Sequence, residues 1–64
     1  MKFYIARDLS GSLYLYSYKP YRGASSWQTE VGPYNDFMEL NPSLYPELTW
    51  DSEPLEFTLI RYES

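Results

Sequence analysis

Three segments of the chain alternate between apolar and other side chains with a period of two. They are residues 2–7, 13–19 and 55–62, and aromatic side chains are frequent in all of them. Successive side chains of a strand point to opposite faces, so this period predicts half-buried β-strands. No stretch shows the three- and four-residue apolar spacing of a long amphipathic helix.

The first two segments are expected to form an antiparallel hairpin whose turn contains Gly11. A three-residue loop at 9–11 places this glycine where a type I turn followed by a bulge needs a left-handed residue. A two-residue turn would shift the pairing by one position and mix the two faces of the hairpin. We therefore favour the register with the pairs Asp8–Ser12, Ile5–Leu15 and Tyr4–Tyr16.

The alternation sorts the strand side chains onto two unlike faces. One face should form the principal core, and its members are Phe3, Ile5, Leu13, Leu15, Leu55, Phe57 and Leu59. The other face collects Tyr4, Tyr14, Tyr16, Tyr18, Ile60 and Tyr62. Phenols that pair across strands stabilise a sheet while their hydroxyls reach water. This face is therefore either a binding surface or a second, wetter core, and the alternation does not choose between them.

The middle of the chain is less regular. Residues 19–26 are expected to form a loop, marked by Pro20 and Gly23. Residues 26–31 are expected to form a short strand that presents Trp27, followed by a turn at 32–33. Residues 36–40 are expected to form another short strand, whose facing the pattern leaves open.

One turn of 3₁₀ or α-helix is expected in NPSLYPELTW, residues 41–50. Asn41 can cap such a turn, and Pro42 suits its first position. Pro46 prevents a longer helix because it lacks the backbone donor. We expect this segment to cover one sheet face as a lid with Leu44, Leu48 and Trp50. The predicted fold is thus one all-β domain over 1–64: an antiparallel sheet of four or five strands with one short helical turn before the last strand.

The composition excludes several classes of function but does not identify one. The 64 residues include no cysteine, no histidine and 20% aromatic residues, with nine acids against five bases and a net charge of −4. The negative net charge disfavours binding to nucleic acid, because contacts to its phosphates depend on lysine and arginine. No apolar run approaches the about 20 residues of a membrane span, and the N-terminus does not resemble a signal peptide. We expect a cytoplasmic protein that does not contact membranes.

Catalysis is not expected. Without histidine or cysteine, the Ser–His and Cys–His arrangements of nucleophilic catalysis are absent, as are the usual ligands of zinc. The acids at 47–56 crowd one stretch, but such a run is more typical of a solvated turn than of a catalytic pair. The chain also lacks a glycine-rich phosphate loop. We assign no catalytic, cofactor-binding or metal-binding residue.

Two frames of the sequence resemble a recurring type of small hypothetical protein of gut bacteria and their phages. The first is KFYIARDLSGSLYLY, with an R-D-x-x-G-S-L hairpin from Arg7 to Leu13. The second is LYPELTWDSEPLEFTLI, with an aromatic-P-E-L-T-W block from Tyr45 to Trp50. The resemblance covers both ends of the chain, and residues 21–34 lie outside it. It implies a phage-related context and favours protein binding, but it assigns no activity and no functional residue.

The expected function is a non-enzymatic protein-interaction module of unknown partner, which binds through the tyrosine-rich face or a sheet edge. Tyrosine and tryptophan are enriched at interface hot spots because they join a large rigid area to a polar tip. The candidate partner-binding residues are Tyr4, Tyr14, Tyr16, Tyr18, Tyr62 and Trp27. An unpaired edge strand could also join two copies into a homodimer. The alternative function is a ligand-binding module that stacks a nucleobase or a sugar on the aromatic face.

Overall fold

The chain folds into two antiparallel β-sheets. The computed structural model describes residues 2–29 and 37–58. Within them the strands are β1 (Lys2–Arg7), β2 (Leu13–Tyr16), β3 (Tyr21–Arg22), β4 (Trp27–Gln28), β5 (Phe37–Leu40) and β6 (Leu55–Thr58). A four-stranded sheet has the order β5-β2-β1-β6, and β3 pairs with β4 as a separate ribbon. The described residues contain no helix, so the all-β prediction is confirmed.

The predicted register of the first hairpin is confirmed. Tyr4 lies opposite Tyr16, and Ile5 lies opposite Leu15. Gly11 has a φ of +99°, and its N–H donates to the Asp8 carbonyl at 2.9 Å. The three-residue loop therefore sets the pairing, because the left-handed residue it requires is a glycine.

Other strand boundaries differ from the predictions. β2 ends at Tyr16 rather than at residue 19, so Tyr18 lies outside the sheet. The predicted loop 19–26 contains β3, because Pro20 and Gly23 flank this strand instead of interrupting it. A strand of two residues is too short to show a period, which is why the pattern missed it. The predictions for 30–33 and for Leu59, Ile60 and Tyr62 fall outside the described residues.

The first sheet face, which we term the aliphatic face, is only partly a core. The register places on it Phe3, Ile5, Leu13, Leu15, Met38, Leu40, Leu55 and Phe57. Ile5 and Leu13 are buried together with Leu48 from the connection between β5 and β6. The prediction that Phe57 belongs to the principal core is wrong, since its side chain is 39% exposed. This connection packs against the Leu13 end of the face. At the Phe57 end its Tyr45 ring contacts Phe57, with 6.2 Å between the ring centroids, and that end is otherwise open.

The connection 41–54, termed the crossing segment, runs from β5 at one sheet edge to β6 at the other. It contains separate turns in which the N–H of Leu44 and that of Leu48 donate three residues back, at 3.0 and 2.9 Å. Tyr45 has a left-handed φ of 51°, so the predicted helical turn is reduced to isolated turns. Leu48 is buried as expected, whereas Leu44 is 46% exposed. Trp50 packs on the opposite side of the sheet, so the lid prediction is wrong for both Leu44 and Trp50.

Arg7 fixes the crossing segment to the sheet. This residue lies on the aliphatic face, in phase with Phe3 and Ile5. Its guanidinium donates to five backbone carbonyl oxygens: Gly11 at 2.7 Å, Pro42 at 3.1 Å, Leu44 at 2.9 Å, Tyr45 at 3.2 Å and Leu48 at 2.5 Å. The planar group presents its five donors as a rigid fork, which suits several carbonyls of one folded loop.

Candidate functional site

The second sheet face, which we term the tyrosine face, is a second core over much of its area. Ala6, Tyr16 and Trp27 form its buried cluster, with Tyr16 only 5% and Trp27 only 6% exposed. The predicted candidates Tyr4 and Tyr14 are half-buried against this cluster. Tyr18, which lies outside the sheet, is 49% exposed, and Tyr62 lies outside the described residues. Most of the predicted tyrosine surface is therefore covered by other parts of the chain.

The β3–β4 ribbon supplies this cover through Trp27. The Trp27 backbone N–H donates to the Asp8 carboxylate at 3.0 Å, and its indole N–H donates to the Arg7 carbonyl at 2.9 Å. The Tyr16 hydroxyl donates to the Trp27 carbonyl at 3.4 Å. Trp27 is thus hydrogen-bonded to both strands of the first hairpin, and the sequence expectation that its ring is presented outward is wrong.

Arg22 connects the ribbon to the crossing segment. Its guanidinium carbon lies 4.5 Å from the Trp27 ring centroid and 4.7 Å from that of Trp50. The same group donates to the carbonyls of Trp50 and Ser52. A cation on an aromatic face is attracted by the ring quadrupole, so Arg22 stabilises the contact between the two tryptophans. Sequence reasoning missed this cluster because Trp50 is 23 positions from Trp27 in the chain.

A groove opens beside the buried cluster on the tyrosine face, and we term it the tyrosine groove. It has a volume of about 320 Å³ and is lined by Asp8, Tyr14, Tyr16, Ser26, Trp27, Gln28, Thr29 and Phe37. The Tyr14, Tyr16 and Phe37 ring centroids lie 5.7 to 6.4 Å apart. Asp8 is only 9% exposed. The groove therefore combines several aromatic rings with one buried carboxylate.

The surroundings of Tyr16 give the groove a negative character. Burial is the main reason why the pKa of Tyr16 is raised to about 12, and the negative charge of Asp8 acts in the same direction, followed by Tyr14. A phenol with so high a pKa keeps its proton at neutral pH and remains a hydrogen-bond donor. The Asp8 carboxylate beside it also disfavours anionic ligands in the groove.

A second candidate site is the uncovered end of the aliphatic face, which we term the apolar end: Phe3, Leu15, Met38 and Phe57. Met38 is 57% exposed and Phe57 is 39% exposed, while Phe3 and Leu15 are half-buried. Two adjoining hollows of about 300 and 220 Å³ share Phe3 and Leu15 in their lining. Sequence reasoning missed this surface because it placed three of the four residues in the core.

Comparison with known proteins adds no relative. No family model, no curated protein and no solved structure matches the chain. Residues 2–29 and 37–58 contain no helix long and apolar enough to cross a membrane. The same residues bring together no group of three or more acidic, histidine or cysteine side chains that could hold a metal ion. The basis for a functional proposal is therefore the geometry of the two candidate sites.

Proposed function

We propose that the chain is a non-enzymatic protein-interaction module and that its contact surface is the apolar end. One observation carries this proposal: Met38 and Phe57 are exposed beside the half-buried Phe3 and Leu15, on a sheet face whose other end is closed by Leu48. Contiguous exposed apolar surface of this kind is typical of protein contact sites. The absence of histidine and cysteine from the whole sequence supports a binding function rather than catalysis.

The partner that fits is an extended segment of another protein. β5 and β6 are the outer strands of the four-stranded sheet among the described residues, and they carry Met38 and Phe57 respectively. An outer strand offers backbone donors and acceptors to an added strand, and its side chains supply the specificity. Either edge therefore allows a partner strand to pair with the backbone while its apolar side chains lie on the apolar end.

Charge indicates what should flank that segment. The exposed acids of the described residues are Glu39, Glu47, Asp51, Glu53 and Glu56. Arg7 donates to carbonyls, and the exposed Arg22 lies on the rings of Trp27 and Trp50. Lys19 is also exposed. Lys2 lies 3.4 Å from Glu56. The surface is thus acidic, and a partner with lysine or arginine beside its apolar residues would be steered towards it.

A second copy of the chain fits less well. A stable dimer buries about 800 Å² on each partner. The apolar end offers four side chains, of which only Met38 and Phe57 are exposed, and even a whole aromatic ring supplies only about 150–250 Å². Two copies would also each carry a net charge of −4. The like net charges favour a different protein as the partner, and the small area suits a short extended segment whose affinity also comes from backbone pairing.

Site-specific photo-crosslinking in a bacterial extract tests the proposal. A benzophenone amino acid is placed at Met38, at Phe57 or, as control, at Leu9, which is 60% exposed in the turn between β1 and β2. Leu9 is six residues from Phe3, or about 20 Å along a strand. We expect the same polypeptide to be crosslinked from positions 38 and 57 but not from position 9.

Competition with unlabelled variants makes the result specific to this surface. A Met38→Asp competitor should fail to displace the crosslinked polypeptide, whereas a Leu9→Asp competitor should displace it as well as the wild type does. Equal crosslinking from all three positions, or none from positions 38 and 57, contradicts the proposal. A crosslink to a second copy, together with a doubled mass in sedimentation, would show that the chain self-associates through this surface instead of binding a different protein.

The alternative function, stacking of a nucleobase or sugar, has weaker support. An open platform needs exposed ring faces, whereas Tyr16 and Trp27 are buried. Within 2–29 and 37–58, no lysine or arginine lines the tyrosine groove, so these residues offer a nucleotide phosphate no cationic partner. The lining of this groove suits a different ligand chemistry.

A further inference from the structure

We propose that the tyrosine groove binds an alkylammonium group, either the quaternary ammonium of a small molecule such as choline or a methylated lysine side chain. The geometry places one buried carboxylate, that of Asp8, beside four aromatic rings in a groove of about 320 Å³. Among the described residues that line it there is no lysine and no arginine. Both elements of the site attract a cation, and neither requires the protein partner proposed above.

The carboxylate of Asp8 is the first element of the site. Its side chain accepts the Trp27 N–H at 3.0 Å, and the residue is nine-tenths buried. Buried charges in proteins are normally balanced by an opposite charge. The ion pair found among the described residues joins Lys2 to Glu56 instead. A cation that enters the groove would supply the missing balance.

The aromatic rings are the second element. The planes of Tyr14 and Phe37 differ by 79°, and those of Tyr16 and Phe37 by 36°, so the rings present differently oriented surfaces towards one space. Trp27 also lines the groove, but it is buried and the Arg22 guanidinium already lies 4.5 Å from its ring centroid. The accessible ring surface is therefore that of Tyr14, which is half-buried, and of Phe37, which is 51% exposed. Aromatic faces attract cations through their quadrupole, and cages of such rings are a general means of recognising quaternary ammonium groups.

An alkylammonium fits this lining better than a metal ion does. Calcium takes six to eight oxygen ligands, whereas the described residues of the lining offer one carboxylate with neutral polar side chains such as Ser26 and Gln28. Methyl groups on nitrogen spread the charge over an apolar surface that rings can contact. The volume lies near the lower end of the about 300–1,000 Å³ range of ligand sites, which suits a small head group.

The state of Tyr16 agrees with this reading. Asp8 contributes to the raised pKa of the Tyr16 phenol, so its negative charge is felt at the groove wall. Burial is the larger cause of the raised pKa, and the Asp8 charge is the part of the effect that would also stabilise a positive ligand. An anionic ligand would be repelled.

The test is a two-dimensional NMR titration of the whole chain with three probes. These are choline, a short peptide with trimethyllysine, and 3,3-dimethylbutan-1-ol, which has the shape of choline without its charge. We expect saturable shifts of the Trp27 indole N–H and of groove backbone signals with at least one of the cations. The neutral alcohol should bind at least about tenfold more weakly, because the rings and Asp8 act on the charge.

Two variants separate the charge of Asp8 from its structural role. Asp8→Asn keeps an oxygen that can accept the Trp27 N–H but removes the charge, and it should weaken cation binding at least about tenfold. Asp51→Asn makes the same chemical change at an exposed turn and should leave the affinity within about twofold. Met38→Asp should leave it unchanged as well, so loss of the protein partner and loss of the ammonium site can be told apart.

Three results would overturn the proposal: no saturable shift with either cation, equal affinity for the neutral alcohol, or equal effects of Asp8→Asn and Asp51→Asn. Should Asp8→Asn fail to fold, the comparison of choline with the alcohol on the wild type decides. Binding of choline alone identifies a free small cation, and binding of the peptide alone identifies a modified protein side chain. Either supports the ammonium site.

Discussion

Replacement of Arg7 is expected to have a larger effect on stability than replacement of any exposed charge. The side chain donates to five carbonyl oxygens, of which those of Gly11, Tyr45 and Leu48 are bonded in part-buried positions. At a net value of about 1 kcal/mol for each part-buried bond, Arg7→Met should lower the free energy of unfolding by about 3 kcal/mol. A domain of this size is stable by only about 3–10 kcal/mol, so the loss is severe.

The loop conformation adds to this expectation. Tyr45 is held at a left-handed φ of 51°, which costs a residue with a Cβ about 1–2 kcal/mol. The bond from Arg7 to the Tyr45 carbonyl helps to hold this conformation. Arg7→Lys should recover part of the loss, because lysine keeps the charge and three donors but lacks the planar fork. We expect a decrease of about 2 kcal/mol for this variant.

Urea unfolding followed by tryptophan fluorescence measures these differences, since Trp27 and Trp50 both lie in folded contacts. The control is Lys2→Met, at an exposed residue whose ion pair with Glu56 should contribute less than about 1 kcal/mol. The exchange of the Leu48 amide hydrogen gives a local readout, because its bond to Tyr45 depends on the loop.

Two outcomes would refute the reasoning about Arg7. An Arg7→Met variant within about 1 kcal/mol of Lys2→Met would mean that the carbonyl contacts contribute little. Unchanged amide exchange at Leu48 in Arg7→Lys would mean that the guanidinium does not hold the crossing segment. If Arg7→Met does not fold at all, the lysine variant still provides both measurements.

The other predictions concern Tyr16, two glycines and Trp50. Because the pKa of Tyr16 is raised from 10.0 to about 12 in the folded chain, the unfolded chain releases this proton first as pH rises. Stability should fall between pH 10 and 12, by at most about 2 kcal/mol, and urea titrations should show a smaller fall for Tyr16→Phe. Gly11→Ala should cost about 1 kcal/mol in thermal unfolding through its φ alone, since an added Cβ meets no atom within 4 Å. Gly23→Ala should cost more, because its Cβ would lie 2.6 Å from a backbone oxygen; equal losses would contradict this distinction. Trp50→Ala should cost about 1–2 kcal/mol in urea unfolding because the ring is half-buried, and a loss above about 3 kcal/mol would mean that the ring is fully enclosed.

The first hairpin could be predicted in detail because its determinants are local. The alternation of aromatic and aliphatic residues defines the two faces, and Gly11 selects the loop that keeps them apart. β6 was predictable for the same reason, with Phe57 on the same face as Phe3. Short-range patterns therefore determine strand, register and facing in this chain.

Coverage of the two faces could not be predicted, because it depends on long connections. Ile5 and Phe57 share a face and a predicted role, yet one is buried and the other is 39% exposed. The difference arises from where the crossing segment packs, and the period of a strand contains no such information. The same holds for Tyr16: a short strand was predicted around Trp27, but the pattern did not show that Trp27 packs over Tyr16.

A signal for Arg7 was present in the sequence, whereas none was present for Asp8. Arg7 lies in phase with Phe3 and Ile5 on the aliphatic face, and a charged side chain on a core face needs several polar partners. The position of Arg7 therefore predicts that its side chain has polar partners within the fold, but it does not show that these partners are backbone carbonyls of the crossing segment. Asp8 follows a strand as an ordinary turn residue, and its burial depends on Trp27 lying above it.

β1 and β6 are neighbours in the sheet although the paired residues Ile5 and Leu55 are 50 positions apart in the sequence. Contacts between such distant positions form slowly, because the intervening chain must first lose its freedom. A hairpin such as β1–β2 closes within about 1–10 μs. Translation at about 5–20 residues per second then needs several seconds to reach β6. During synthesis, each copy therefore passes through a stage in which the edge of β1 that will pair with β6 is still unpaired. In that stage the edge can bind a chaperone or pair with another chain and aggregate.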